Sequence, residues 1–286
     1  MILQKVLLLC IICMKNNFIK IEISNIYILF IRMLNLYHYC RDGNIDKVRE
    51  CITEGNDINK GYYWDITALM AACISGYKNI VREILEIKDI NINAEDLDGR
   101  TALWHATKNE HKNIIEILIQ NNAIINKEDN QGLTPLHIAS INGDLDSVTI
   151  LVTHGAEIDR ETNTGNTALH IVSANNYIKI LNKLLEYRPF LEVLTIGYHT
   201  PLMVAVDHQN TEIVKILIRE GANPNTINYY KISALEMAIY RKNIEIMKIL
   251  IEAGADKNHK TNDNKSLIEL CNEKDFVEGM LLLTKI

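Results

Sequence analysis

Histidines, cysteines and a short acidic cluster are the residues of this chain whose types could do chemistry. The nine histidines could bind a metal ion or transfer protons. Asp96 and Asp98, with Glu95 beside them, resemble part of an acidic calcium loop, but the glutamate that closes such a loop is not in place. The chain lacks a His-Glu-x-x-His motif, a Gly-x-x-x-x-Gly-Lys phosphate loop and a Gly-x-Ser-x-Gly nucleophile elbow. We therefore predict a solvated loop at the acidic cluster, and no catalytic residue, cofactor site or metal site.

The six cysteines are too dispersed for a disulfide scaffold. One Cys-x-x-Cys motif lies in an apolar run without a strand-helix-strand pattern around it, so we expect no redox activity. No second such pair indicates a zinc site. We predict that the cysteines are free thiols and that most are small apolar residues of the core. They stand at Cys10, Cys13, Cys40, Cys51, Cys73 and Cys271.

Charge and composition exclude several classes of function. The 286 residues carry 30 Lys and Arg against 36 Asp and Glu, for a formal net charge of -6. This balance gives no excess positive charge to neutralise phosphates or anionic lipids, so we expect no nucleic-acid partner and regard a membrane partner as disfavoured. The hydrophobic content of 48% with 23% charged residues is typical of a packed chain.

The elements that would position these side chains follow from an internal repeat. A motif that begins Thr-Ala-Leu or Thr-Pro-Leu recurs once after 34 residues and then at every 33. The motif begins at Thr67, Thr101, Thr134, Thr167, Thr200, Ser233 and, more weakly, Ser266. Such a period indicates that each repeat is one supersecondary unit stacked on its neighbours.

Each repeat reads as two helices followed by a loop, which we call a finger. The Thr or Ser suits a helix N-cap, and Pro135 and Pro201 follow it at the first helical position. A glycine such as Gly143 then predicts a turn before a second helix with apolar residues at helical spacing. A further glycine, as in Gly155-Ala156, predicts the end of that helix, and turn residues such as Asp129-Asn130-Gln131-Gly132 predict a tight hairpin.

The chain therefore resembles the ankyrin-repeat proteins, and the resemblance extends from about Leu34 to the C-terminus. The family motif Thr-Pro-Leu-His is matched most fully by Thr134 to His137, with His170 as a second match. The resemblance implies an all-α dominated solenoid of helix-turn-helix units with projecting β-hairpin fingers. It also implies that the motif histidines tie turns together, and that the protein recognises other proteins through fingertips and the concave face of the first helices, with no reaction or cofactor of its own.

Some fingers depart from this pattern. The hairpin glycine is present as Gly99, Gly132 and Gly165, but other residues replace it in register, namely Asp65, Tyr198, Lys231 and Asn264. Because tyrosine and lysine tolerate positive φ less readily than glycine, we expect irregular fingers at 193–199 and 226–232. Arg188-Pro189-Phe190 also replaces the usual glycine-containing end of a second helix.

We predict an ankyrin-repeat domain of about seven to eight units over residues 33–286, with no appended catalytic domain. Its first cap would be the repeat at 33–66 and its last the repeat at 266–286, with the internal repeats beginning near the six motif residues from Thr67 to Ser233. Residues 1–32 do not fit the repeat, and we interpret them as a signal-like segment or as an artefact of where the reading frame was taken to start. Their apolar run follows Lys5 but lacks a small-residue cleavage site. A cytoplasmic location is favoured, and secretion is the alternative if residues 1–32 act as a signal peptide.

Aromatic residues occupy finger positions that turns usually fill with small polar residues. Tyr and Trp offer large contact areas with few rotatable bonds, so we predict that they contact a partner together with positions on the first helices. The alternative is that the rings pack on a neighbouring finger and stabilise it. The predicted partner-binding residues are Tyr62, Tyr63, Trp64, Ser75, Lys108, Asn109, Asn142, Asn175, Tyr198, His208, Tyr229, Tyr230 and Arg241.

These observations favour a non-enzymatic, monomeric scaffold that binds a protein partner along a pre-formed surface. A rigid surface of this kind limits the ordering cost of association. The alternatives are a structural or targeting arm within a larger assembly, and a secreted effector that binds host proteins. The sequence does not identify the partner.

Overall fold

A computed structural model describes residues 36–284, which form helices, turns and one 3₁₀ segment. The prediction for residues 1–32 lies outside the described residues. The helices are α1 (36–42), α2 (Ile45–Thr53), α3 (Ala68–Ser75), α4 (Lys78–Leu85), α5 (Ala102–Lys108), α6 (Lys112–Gln120), α7 (Pro135–Asn142), α8 (Leu145–Thr153), α9 (Ala168–Ala174), α10 (Ile178–Leu185), α11 (Pro201–Asp207), α12 (Thr211–Arg219), α13 (Ala234–Tyr240), α14 (Ile244–Glu252), α15 (Leu267–Glu273) and α16 (Val277–Thr284).

The chain divides into two compact units, Met1–Ala123 and Ile124–Ile286. We call them unit 1 and unit 2. In unit 1, α3 packs against α5 and α4 packs against α6. In unit 2, the first helices α7, α9, α11, α13 and α15 pack successively on one another, and the second helices stack likewise. The architecture is the predicted all-helical repeat.

The predicted N-caps begin the first helices. Thr200 accepts a hydrogen bond on its side chain from the Met203 N–H, and Ser233 does the same for Glu236, both at 3.2 Å. Each bond satisfies a first-turn N–H that has no partner within the helix. Pro135 occupies the first helical position, as predicted.

The second helices are amphipathic, and their apolar stripe forms the core. In α12, Ile213, Val214 and Leu217 are completely buried. This helix ends before Gly221, whose φ is +98°. Arg188 adopts a φ of +54° at the corresponding position, so the helix pair α9 and α10 is complete despite the missing glycine.

The turn between the two helices of a repeat is constrained by an aromatic ring of the following repeat. Gly143 caps α7 with a φ of +74°. A Cβ atom on Gly143 would lie 2.7 Å from the Tyr177 ring, which packs over it, and a Cβ on Gly76 would lie 2.6 Å from the ring of His111. Glycine is therefore required both by the left-handed backbone and by the close approach of the neighbouring repeat.

The finger turns of unit 2 are regular, and the irregularity predicted at 193–199 and 226–232 is not found. The N–H of Gly132 donates to the Asp129 carbonyl at 2.9 Å, and Tyr198 and Lys231 make the same bond at 2.8 and 2.9 Å. Their φ angles, +59° and +58°, lie in the same left-handed region as the +75° of Gly132. The stacking of fingers therefore imposes the turn on residues that disfavour it. Among residues 36–284 the fingers form no strands, only two isolated antiparallel bridges, because each turn closes over too few residues for a ladder.

Side chains at the base of the fingers join successive repeats. In unit 2, the Asn126 side-chain oxygen accepts from the Glu157 backbone N–H at 2.9 Å, and Asn225 accepts likewise from Asp256 at 2.8 Å. We call this bond, from the backbone of one repeat to the side chain of the preceding one, the clasp. Further clasps join Asn59 to Asn91 in unit 1, and Asp159 to Phe190 and Glu192 to Asn223 in unit 2.

We predict that Lys231→Gly raises the free energy of unfolding by about 1 kcal/mol, because glycine adopts the left-handed turn without a Cβ penalty. Chemical denaturation of the full chain measures the change. The matched variant Gly132→Ala should lower stability, since its Cβ would meet the Asn163 backbone nitrogen at 2.7 Å. Equal stability of Lys231→Gly and the natural chain would show that the turn is not strained.

Candidate functional site

In unit 2, a polar side chain that stands before each turn holds the fingertip. Asp129 Oδ1 accepts from the N–H groups of Gln131 and Leu133 at 2.8 and 2.9 Å. Asn228 Oδ1 does the same for Tyr230 and Ile232. Because one buried oxygen satisfies two N–H groups, each turn is rigid and the residues at its tip are free to point outward.

Backbone hydrogen bonds also link consecutive fingertips of unit 2. The Asn163 N–H donates to the Gln131 carbonyl at 3.0 Å, and Ile196 donates to Thr164 at 3.1 Å. Tyr229 donates to the Gly197 carbonyl at the longer distance of 3.4 Å. The fingertips from Gln131 to Tyr229 therefore form one continuous edge.

Aromatic rings are exposed at two neighbouring fingertips of unit 2. Tyr198, Tyr229 and Tyr230 expose 49%, 68% and 61% of their surface. The Tyr229 ring lies 5.9 Å from the Tyr198 ring and 5.3 Å from the Tyr230 ring. These rings contact one another, as the stabilising alternative supposes, yet they keep enough exposed area to contact a partner.

An open groove of about 630 Å³ lies between the fingers and the first helices of unit 2. Its lining includes Asn175 and His208 of the predicted residues, and the apolar side chains Ile141, Ile171, Ile196 and Val204. A neighbouring hollow of about 420 Å³ shares Ile141 and Ile171 and extends along the fingers. None of these apolar side chains was among the predicted residues. The signal that could have revealed one of them is the isoleucine at a turn position, and the structure leaves Ile196 68% exposed there.

The remaining first-helix residues of unit 2 recur at the last turn of successive helices. Asn142 is half-buried, while Asn175, His208 and Arg241 are exposed and cap their helices. Arg241 donates to Asp207 at 2.7 Å and joins α13 to α11. Their equal position in each repeat places them in one row, and only Asn175 and His208 of this row line the groove.

In unit 1, the first finger does not expose all the predicted aromatic residues. Tyr62 is half-buried against Tyr37, with 5.6 Å between the ring centroids. Its hydroxyl is buried without a hydrogen-bond partner among residues 36–284, and burial raises its pKa. The Tyr62 ring fills space beside α1 and offers less exposed surface than Tyr63 or Trp64, so its contact with a partner stays a prediction. Tyr63 and Trp64 are exposed by 48% and 72%.

The other predicted residues of unit 1 lie at the ends of first helices. Ser75 is the half-buried last residue of α3, and Lys108 is the exposed last residue of α5. Asn109 is the C-cap of α5, and its side-chain amide donates to the His105 carbonyl at 2.8 Å. Asn109 therefore also completes the helix end.

One family model, described as "Ankyrin repeats (3 copies)", matches residues 36–129, 122–193 and 190–261. The chain belongs to the ankyrin-repeat family. Ankyrin repeats are generally protein-interaction modules.

Two solved ankyrin structures share the fold. The human ASB11 ankyrin repeat domain has a TM-score of 0.65 at 22% identity, covering 76% of this chain and 98% of that one. The ankyrin repeat domain of Bcl-3, described as a unique member of the IkappaB protein family, has a TM-score of 0.69 at 22% identity, covering 74% of this chain and 97% of that one. At this identity the similarity establishes the fold alone.

A protein called "Putative glutaminase 2" from Caenorhabditis elegans is 25% identical over 87 residues. The match covers 30% of the ankyrin chain and 14% of that protein. The chain thus spans about a seventh of this relative's length. The match therefore transfers no reaction to the ankyrin chain.

The motif histidines of the ankyrin repeats tie turns together, as the resemblance implied. His170 Nδ1 accepts from the Thr167 N–H at 3.1 Å, and its Nε2 lies 3.0 Å from the His199 carbonyl, to which it donates. His137 makes the equivalent bonds to Thr134 and Arg160. Burial lowers the pKa of both imidazoles, that of His170 to about 4, so they bridge the turns as neutral rings.

Asp96 is buried, and the predicted solvated loop is wrong at this residue. Its carboxylate accepts from the N–H groups of Asp98 and Arg100 at 2.9 Å and lies 2.8 Å from Nε2 of the buried His105. Burial lowers the pKa of His105, although Asp96 acts in the opposite direction. The acidic cluster thus supports a finger turn, because its carboxylate takes over the role that Asp129 has in the next finger.

The described cysteines are core residues. Cys40, Cys51, Cys73 and Cys271 are free and buried, and burial raises the pKa of Cys40 to about 12 and that of Cys271 to about 11. The thiols are therefore protonated and poorly nucleophilic. Within residues 36–284, no three His, Cys, Asp or Glu side chains are grouped to bind a metal ion. Over the same residues, every helix is too short or too polar to cross a bilayer.

We predict that the ankyrin domain loses stability as the pH falls from about 6.5 to about 4. In this range the unfolded chain protonates His170 while the folded chain keeps it neutral, so protons favour unfolding. Met203 occupies the equivalent position of the next repeat, so we use His170→Met as the variant. It should reduce the loss in the free energy of unfolding at pH 4 by about 3 kcal/mol. Denaturant unfolding at several pH values measures both chains. Parallel pH profiles would contradict the role of His170.

Proposed function

We propose that this ankyrin chain is a non-enzymatic scaffold that binds a segment of a protein partner in the groove of unit 2. Ile141, Ile171, Ile196 and Val204 would take up apolar side chains, while Asn175 and His208 at the groove wall would hydrogen-bond the partner. The exposed rings of Tyr198, Tyr229 and Tyr230 would extend the contact along the fingertip edge, and Asn142 and Arg241 would flank it. The proposal is supported above all by one observation, the 68% exposure of Ile196 at the mouth of an otherwise rigid groove.

Physical reasons favour this site over the outer faces of the chain. The groove walls are already fixed by the turn bonds and the fingertip hydrogen bonds, so binding orders few side chains. Exposed apolar side chains in a concave surface gain free energy when water is displaced from them. The tyrosines add large area with only two rotatable bonds each.

Unit 1 would provide a second surface that contacts the same partner. Tyr63 and Trp64 at its first fingertip are its most exposed predicted aromatic residues. Ser75, Lys108 and Asn109 would contribute polar contacts at the ends of its first helices. Tyr62 would act indirectly, by supporting the finger from below.

We predict that the double variant Ile196→Ala and Tyr229→Ala lowers partner recovery about tenfold in affinity capture with the full chain, since two large exposed contacts are removed. Lysate of the source organism supplies the partner, and quantitative mass spectrometry measures its recovery.

The matched control is Tyr187→Ala with Val277→Ala. It removes two side chains of comparable exposure, 42% and 60%, from the end of α10 and the start of α16. The control should recover the partner as the natural chain does, and all three chains should melt alike. The groove would be contradicted as the binding site if both double variants lost partner recovery equally, or if neither variant lost it.

A further inference from the structure

The first fingertip of unit 1 has a backbone conformation that the other fingertips lack. Trp64 has a φ of 61° and a ψ of 26°, and Asp65 follows with a φ of 58°. In the other finger turns of residues 36–284, only the second of these positions is left-handed, as at Tyr198 and Lys231. A left-handed tryptophan is strained, because its Cβ and ring crowd the backbone.

This strained turn holds the Trp64 ring in solvent. The Trp64 carbonyl accepts from the Leu97 N–H at 3.0 Å, so the next finger fixes the peptide in place. The side chain is 72% exposed, more than any other aromatic ring between residues 36 and 123. Strain that exposes a large ring instead of burying it gives the fold no packing benefit, and this points to a ligand for the ring.

The charge beside the ring indicates which ligand chemistry fits. Asp65 is exposed, and its carboxylate makes no ion pair with any residue from 36 to 284. At the next fingertip, by contrast, Asp98 is neutralised by Arg100 at 2.8 Å. The chain as a whole carries a net charge of -6, so its long-range field also favours a cation.

An exposed indole face beside a free carboxylate suits a guanidinium group. The planar cation stacks on the ring while its N–H groups donate to the carboxylate. The chain itself contains such an arrangement, since Arg100 pairs with Asp98 while its guanidinium carbon lies 4.6 Å from the centroid of the buried Trp104 ring. Trp64 offers the same face with no cation of its own over it among the described residues.

We propose that Trp64 and Asp65 bind an arginine side chain of the protein partner. The inference rests on the proposed function, because it gives a chemical identity to the contact at the first fingertip. Tyr63, 48% exposed beside them, provides a second ring at the edge of the site. Lysine fits less well, since its ammonium is more strongly hydrated and cannot stack as a plane.

The test titrates the full chain with an end-capped nonapeptide made of three Gly-Arg-Gly units. Two peptides of equal length carry lysine, or the neutral isostere citrulline, in place of arginine. Nuclear magnetic resonance follows the indole N–H signal of Trp64, with the buried Trp104 as internal reference. We expect a saturable shift of the Trp64 signal alone, with a Kd about fivefold or more below that for the lysine peptide, and no saturation with citrulline.

Two variants locate the site and one serves as its control. Asp65→Asn should raise the Kd for the arginine peptide about fivefold or more. Trp64→Gly should remove the binding measured by calorimetry while melting no lower than the natural chain, since glycine relieves the left-handed strain. Asp263→Asn changes an exposed carboxylate of the last finger, one residue before the position equivalent to Asp65, and should leave the Kd unchanged.

Three results would overturn the inference. These are no saturable shift with the arginine peptide, an equal response to citrulline, or equal affinities for the Asp65→Asn and natural chains. If Trp64→Gly nevertheless loses the partner captured from lysate, the fingertip contact stands and only its arginine chemistry fails. If Trp64→Gly recovers as much partner as the natural chain and binds each peptide with the same affinity, the fingertip contact fails as well.

Discussion

Burial against a neighbouring repeat is the constraint on which the rest of this structure depends. A single pair of short helices cannot cover its own apolar stripe, so Ile213, Val214 and Leu217 of α12 are buried only because adjacent helix pairs flank it. Stacking at a fixed spacing then places equivalent atoms of successive repeats at equal distances. The clasps, the fingertip hydrogen bonds and the row of first-helix C-caps all follow from that equal spacing within each unit.

Stacking also explains why polar and ionisable residues are buried without doing chemistry. His170, His137 and Asp96 each join a finger to a helix start, and the cost of burying them is offset by hydrogen bonds to backbone groups. Glu236 occupies the histidine position of its repeat, and its carboxylate lies 3.1 Å from Nε2 of His259. Burial raises the pKa of Glu236, although the hydrogen bond with His259 acts in the opposite direction. These side chains stabilise the fold, so the exposed apolar and aromatic groups remain as the basis for recognition.

Much of the fold could be predicted from the sequence, because caps, prolines and apolar spacing act locally. Thr200, Pro135 and the stripe of α12 each lie where the pattern placed them. The regular turn at Lys231 could not be predicted, since stacking on the preceding finger, where Tyr229 donates to the Gly197 carbonyl, overrides the local preference of lysine. The half-buried position of Tyr62 depends on α1, a contact that no short-range pattern encodes. The groove needed Ile141 and Val204 to come together from different helices, so only the tertiary structure revealed it.

The clasps have a consequence for how such a chain can evolve. Each clasp bonds to the backbone N–H of the next repeat, and the residues that supply this N–H are Asn91, Glu157, Phe190, Asn223 and Asp256. Because the bond uses only the backbone N–H, a substitution by any residue other than proline keeps it, while at Glu157 the side chain also accepts from the Asn126 amide at 3.2 Å. Surface residues can then diversify under selection for new partners while the joints are inherited unchanged.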